Sequence, residues 1–268
     1  AGAEWLLTGN AGLTASQFLG TTDASPIRFR VSNFNAGSIT TTNTSYGYGT
    51  GSGGTNCTFI GLSMGTFGTG TGNVGVGFGA GSNNGDYNVG IGFGVLSSNS
   101  GSRNVGIGQV VLSDNTTGQE NTAIGHFAMT DNMTGSYCVA LGMFSLNYSE
   151  TSDYIVALGY GAGAIGFGSI ETNSTFVGPG AAANSVGTYT NCTALGYNSR
   201  VTASNTIVIG NSSVTSIGGY VNWTNLSDGR FKTNVQQNIP GLAFINKLQP
   251  VTYNLKMQEL SNFLNEDS

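Results

Sequence analysis

The sequence predicts an all-β chain, a parallel β-solenoid or β-roll of ten short coils followed by a short mixed C-terminal segment. Three observations carry this expectation. Glycine supplies 44 of 268 residues while only 8% of side chains are charged. Because glycine costs roughly 1 kcal/mol per helix-interior position relative to alanine, strands and tight turns must take most of the length. An aliphatic-glycine signal recurs ten times at nearly fixed spacing. Finally, glycine and charge both change abruptly near Leu226: every lysine lies beyond it, and of the glycines only Gly229 and Gly241 do. Such a break marks a domain boundary.

Residues 1–50, with Trp5, Phe18, Ile27, Phe29, Val31 and Phe34, read as an N-terminal β segment, and the glycine-rich run from Tyr46 to Gly54 as a linker. The repeats occupy residues 56–210. Their glycines stand at 61, 77, 92, 108, 125, 142, 159, 178, 196 and 210, at intervals of 14 to 19 residues. The residue before each is aliphatic, as in Ile60, Val76, Ile107 and Leu141, and the residue three before is β-branched, as in Thr58, Val74, Val105 and Val139. Between them sits a mostly small residue. Alternation along a strand puts the aliphatic and β-branched positions on one face and the small residue on the other. The expectation is that Val105, Ile107 and their equivalents point inward. The column of Gly75, Gly90, Gly106, Ala123, Ala140, Ala157 and Ala194 then points outward to meet another chain.

One repeat buries its apolar face only by stacking on the next. At about 4.8 Å per coil, ten coils make a rod on the order of 50 Å long. A second apolar pair in each repeat, as in Val95-Leu96, Val111-Leu112 and Phe144 with Leu146, supplies another wall. Turn residues follow at Asn83-Asn84-Gly85, Ser113-Asp114-Asn115 and Thr130-Asp131-Asn132, which gives a coil two walls and two bends.

Cys57, Cys138 and Cys192 each stand four places before a repeat glycine and share a face with the small residues. They lie on the first, sixth and ninth repeats, too distant to bridge, and are expected as free thiols at an interchain surface. The single histidine, His126, takes the position that Phe78, Phe93 and Tyr160 fill elsewhere and reads as a solenoid side chain. With one histidine and scattered cysteines, no metal site or cofactor is expected. Gly75-Val76-Gly77-Phe78-Gly79 opens no helix and recurs on the repeat period, so it is not a phosphate loop.

Thirteen acidic against eight basic residues give a net charge of −5, and no basic patch tracks a nucleic-acid backbone. No continuous apolar run is long enough for a membrane-spanning helix. The start at Ala1 fits a processed mature chain or one exported without a signal peptide.

The repeat, in Asn121-Thr122-Ala123-Ile124-Gly125 and Asn191-Cys192-Thr193-Ala194-Leu195-Gly196, resembles the head repeats of trimeric autotransporter adhesins and the arrays of tail-fibre-like proteins. The resemblance covers residues 56–210 and implies a homotrimer of left-handed parallel β-rolls. Residues 211–226 form a connector. Beyond it, Ser227-Asp228-Gly229-Arg230-Phe231-Lys232, with Leu248-Gln249-Pro250-Val251-Thr252-Tyr253, resembles the opening of the intramolecular chaperone domain at the ends of endosialidases and other phage tail fibres, the peptidase S74 family. That resemblance implies that residues 227–268 are a partial chaperone segment. It further implies a dyad of Ser227 as nucleophile and Lys232 as base that cuts the chain once, just before Ser227. The same residues, taken alone, also fit a helix start with Ser227 as N-cap. Met257, Leu260, Phe263 and Leu264 fall at helical spacing. The stretch Trp5-Leu6-Leu7-Thr8-Gly9-Asn10-Ala11-Gly12 is similar to a segment preceding such repeats in large secreted bacterial fibre-like proteins.

These readings predict a structural and receptor-binding subunit of an extracellular trimeric fibre, on a virion or phage tail, with no catalysis beyond the single self-cut. Its partners would be its own copies and a host surface glycan or protein receptor, without nucleic acid or membrane insertion. A bacterial surface adhesin or extracellular filament protein is the alternative owner of the same architecture. A glycan depolymerase is the alternative activity. It needs two carboxylates about 5 to 9 Å apart, with Asp86, Asp114, Asp131, Glu150 and Asp153 as the candidates.

Overall fold

The structure is a computed structural model and describes residues 20–50, 54–63, 69–81, 85–221 and 247–248. It opens on an antiparallel meander of β1 (Ile27–Val31), β2 (Phe34–Ile39) and β3 (Thr44–Tyr46). Ser32 and Asn33, both at positive φ, make the two-residue turn that matches strand twist in a hairpin. β3 then pairs in parallel with β4 (Thr58–Leu62), so the N-terminal segment continues directly into the repeat sheet.

From there one strand is added per coil: β5 (Val74–Phe78), β6 (Val89–Phe93), β7 (Val105–Gln109), β8 (Thr122–Ile124), β9 (Val139–Leu141) and β10 (Val156–Leu158). Four of the seven later strands form two separate two-stranded parallel sheets: β11 (Ile170–Thr172) with β14 (Thr188–Thr190), and β13 (Ala182–Ala183) with β16 (Arg200–Val201). The other three, β12 (Thr175–Val177), β15 (Thr193–Leu195) and β17 (Ile207–Ile209), complete a 13-stranded sheet with β1 to β10. Register is kept coil to coil, so Gly90 faces Gly106 and Ala123 faces Ala140. The fold is an all-β parallel solenoid, without a helix among the described residues. None of the described segments is a helix long and apolar enough to cross a membrane. The chain divides at Ser216 into two compact units, the first holding the solenoid.

The repeat glycine has two causes. It takes φ between +113° and +142° at nine of its ten positions, where side chains are strained. It also lies against the next coil: a Cβ on Gly92 would overlap the Gly108 carbonyl oxygen, and one on Gly108 that of Gly125. Five residues earlier the chain bends through the left-handed region, at Arg103, Glu120, Tyr137 and Tyr154 among others. On the far wall Leu96, Leu112, Met129 and Leu146 have positive φ as well. Such a turn lets consecutive residues face the same side, so Val95 with Leu96, and Val111 with Leu112, are both fully buried.

The structure inverts the expected facing of the repeat strand. Gly106, Ala123, Ala140, Ala157 and Ala194 point inward and are fully buried, while Val105 and Ile107 are only half-buried on the outer face. The cause is the narrowness of the coil. The far wall sends Leu96, Leu112, Met129 and Leu146 into the interior, and close packing leaves the near wall room for little more than a methyl. A Cβ on Gly90 would lie 3.4 Å from Leu96 Cδ1. Where the near wall is large, at Phe176, the far wall of that coil is small, with Ala181, Ala182 and Ala183.

The cysteines are therefore interior residues, a correction to their expected place at an interchain surface. All three are free thiols and buried. Their column is an asparagine ladder. Asn73 Oδ1 accepts the backbone N–H of Asn88 at 2.8 Å, Asn88 that of Asn104, Asn104 that of Asn121, and Asn121 that of Cys138. Each side-chain amide donates to a carbonyl one coil on, as Asn104 Nδ2 does to Gly118 at 2.9 Å. Cysteine substitutes in this column because its thiol reaches the equivalent carbonyl: Cys138 Sγ lies 3.3 Å from Ser152 O. Burial pushes the Cys138 thiol up to about 12, which keeps it unreactive.

Candidate functional site

The inversion leaves an apolar surface. Ile60, Ile91, Ile124, Leu141 and Leu195 lie on the outer face of the 13-stranded sheet, each 38–44% exposed. Half-buried Val74, Val89, Val105 and Val139 run beside them. Aromatic rings flank the stripe: Phe78 and Phe93 stack at 5.0 Å on one side, Tyr137 and Tyr154 at 4.9 Å on the other. Parallel sheets are as a rule covered on both faces, and monomeric proteins rarely expose contiguous apolar patches beyond a few hundred Å². Kept in register over successive coils, these side chains form one continuous apolar stripe.

His126 sits at the edge of this face, half-buried, with its ring 4.1 Å from Phe127 and 6.0 Å from Phe144. It packs among aromatic neighbours, as its repeat position predicts. The candidate carboxylates divide into two groups. Asp86 and Asp153 accept backbone N–H groups of the preceding coil, from Thr71 at 2.7 Å and Ser136 at 2.8 Å. They are bolts between coils. Asp114 and Asp131 occupy equivalent bends of adjacent coils, with Glu150 on the following one. Burial and then the Asp114 carboxylate hold Asp131 above the usual carboxylate range.

Sequence reasoning passed over Glu171, the one acidic residue before Ser227 set between an aliphatic and a β-branched neighbour, Ile170 and Thr172. It is fully buried on β11. Its Oε2 accepts from Ser152 Oγ at 3.1 Å and lies 3.5 Å from Ser149 Oγ, while Oε1 has no hydrogen-bond partner among the described residues. Burial raises its pKa from 4.5 to about 7. A carboxyl held above its unfolded value stabilises the fold fully below about pH 4.5. The contribution declines as pH rises and is lost above about 7, a change on the order of 3 kcal/mol. Hydrogen exchange, corrected for intrinsic rates, should therefore show faster local opening around β11 and β14 at pH 8 than at pH 5, and Glu171→Gln should flatten that dependence. Equal protection at both pH values in the wild type would refute the assignment.

Ser227 and Lys232 lie outside the described residues, as do Met257, Leu260, Phe263, Leu264 and the N-terminal stretch from Trp5 to Gly12.

Fold and surface together define a stacked, sparsely charged β-solenoid with an apolar stripe on the outer face of its 13-stranded sheet. Residues 227–267 match the family model described as the chaperone of endosialidase. No curated protein and no solved structure matches the chain. The family match begins at Ser227, where glycine and charge change in the sequence.

Proposed function

We propose that the chain is a structural and receptor-binding subunit of an extracellular homotrimeric fibre of the viral or phage-tail type. The exposed aliphatic face carries this reading. Two further copies would cover it along the shaft, each contributing the same stripe around a threefold axis. The C-terminal match supports it from a second direction, because a chaperone segment after a repetitive shaft answers a real difficulty: coils of near-identical sequence offer many wrong registers. Joining three chains at one end sets the register from which stacking proceeds. The measurement is the mass of the full chain by light scattering. Three times 27.4 kDa supports the reading, and a monomer with the apolar face bare to water refutes it.

The chaperone match also bears on Ser227 and Lys232. In the reaction we propose, Ser227 Oγ attacks the Leu226 carbonyl carbon and gives its proton to Lys232. The Leu226–Ser227 amide bond breaks as the ester forms, its nitrogen taking the proton, and water then hydrolyses the ester. The fragments would be a lysine-free shaft ending at Leu226 and a segment beginning at Ser227. Mass spectrometry of freshly assembled protein should show this cut, and Ser227→Ala or Lys232→Ala should abolish it while leaving trimer assembly intact. An intact wild-type chain after long incubation would mean that residues 227–268 act as an uncut cap.

A further inference from the structure

A cleft of about 450 Å³ lies over the bend that follows the repeat glycine, spanning the sixth to ninth coils. Successive coils stack about 4.8 Å apart, so it runs for about 14 Å along the rod. Its walls are aromatic and its floor is nearly bare. Tyr160 and Tyr197 are 57% and 65% exposed, and Tyr148 stands at the opposite end. Two of these rings are braced: Phe144 meets Tyr160 edge to face at 6.1 Å, and Phe167 meets Tyr148 at 4.6 Å. The floor passes over Gly161, where an added Cβ would meet nothing within 4 Å, and over Gly180, whose missing side chain leaves room for Asn198 Oδ1.

Arg200 closes the ninth-coil end. One guanidinium nitrogen donates to the Ala183 carbonyl at 3.1 Å. Among the described residues Arg200 has no carboxylate within ion-pair distance, the one ion pair being Arg103 with Glu120. In a chain with a net charge of −5, Arg200 is a cation without an acidic partner among the described residues, at the mouth of an aromatic cleft. The opposite end is acidic: Asp131 accepts a backbone hydrogen bond from Tyr148, with Asp114 and Glu150 nearby.

We infer that this cleft binds a short oligosaccharide bearing a carboxylate, with the acid group over Arg200 and the neutral sugars on the tyrosines. Ring faces carry negative potential and attract the polarised C–H groups of a sugar, while the tyrosine hydroxyls and the Asn198 amide meet its hydroxyls. The charge gradient along the cleft fixes the direction, because an acid at the Tyr148 end would face Asp131 and Glu150. The nearly bare floor and the size of the cleft fit a few sugar rings rather than a folded partner. The inference rests on the receptor-binding reading above and gives it a place and a ligand class.

The test uses the full chain in calorimetric titration and saturation-transfer NMR, with trigalacturonate, with sialyllactose, and with neutral lactose. At least one acidic sugar should bind with a dissociation constant of about 1 mM or below, and lactose more weakly. Tyr160→Ala and Tyr197→Ala, both exposed and so harmless to the coil, should each weaken binding about tenfold. Arg200→Gln should reduce the acidic sugar to the level of lactose. Which acid binds separates a uronate from a sialic acid. Binding of neither acid would overturn the inference, as would binding that is indifferent to Tyr160, Tyr197 and Arg200. Light scattering on the same samples separates this outcome from failure of the fibre reading: a trimer that binds no acidic sugar sinks the cleft alone.

Discussion

Ala140→Arg is expected to unfold the middle of the solenoid. Ala140 is fully buried on β9, with Ala123 and Ala157 as its register partners on either side. The interior it faces is filled from the far wall by Met129 and Leu146. An arginine there adds volume that the coil cannot take up and buries a cation without a partner. Overpacking alone costs about 1 to 3 kcal/mol, and an uncompensated buried charge adds several more. Because coils contact only their neighbours, damage should spread outward from the fifth to seventh coils rather than strike the whole chain at once. Hydrogen exchange read by mass spectrometry should show protection lost first between about residues 120 and 160. A variant with wild-type protection there would overturn the inward assignment of the small column.

The second large effect is the mirror image. Ile124→Arg combined with Leu141→Arg changes residues adjacent in the sheet but on its outer face. Within one chain these side chains already reach water, so the coil should keep its fold and its exchange protection. Association should fail, since two cations would enter each apolar interface unpaired, at several kcal/mol per site. Light scattering should read 27.4 kDa where the parent reads three times that mass. A double variant that remains trimeric would mean that the aliphatic face is covered by something other than its own copies. The neighbouring pair Ala140 and Leu141 thus separates folding from assembly: one residue faces the interior of the coil, the next faces outward.

Much of the architecture is readable from composition and spacing. The strand positions Val74, Val89, Val105 and Val139 all fall within observed strands, because the aliphatic-glycine pair marks a place where both a positive φ and a bare Cα are needed. The second wall is readable from Val95-Leu96 and Val111-Leu112. The interior column of Asn73, Asn88, Asn104 and Asn121, by contrast, looks like turn composition in the sequence. Amides and thiols belong in this core only because the next coil brings a backbone N–H and a carbonyl to each of them. The aromatic cleft is equally hidden. Tyr148, Tyr160, Tyr197 and Arg200 belong to three different coils, and only stacking places them side by side.

What the amino-acid order determined by itself is therefore the all-β class, the number and spacing of coils, the two-walled plan, and the change of composition near Leu226, after which the chaperone match begins. What only the tertiary structure decided is the sign of the alternation. A period of two separates Ala140 from Leu141 without saying which is inside, since either face could meet apolar surroundings, the coil's own interior or a neighbouring chain. The distance between the walls makes that choice. With leucine and methionine entering from the far side, the space left opposite them holds a hydrogen or a methyl, and the larger aliphatic side chains are left on the outer face.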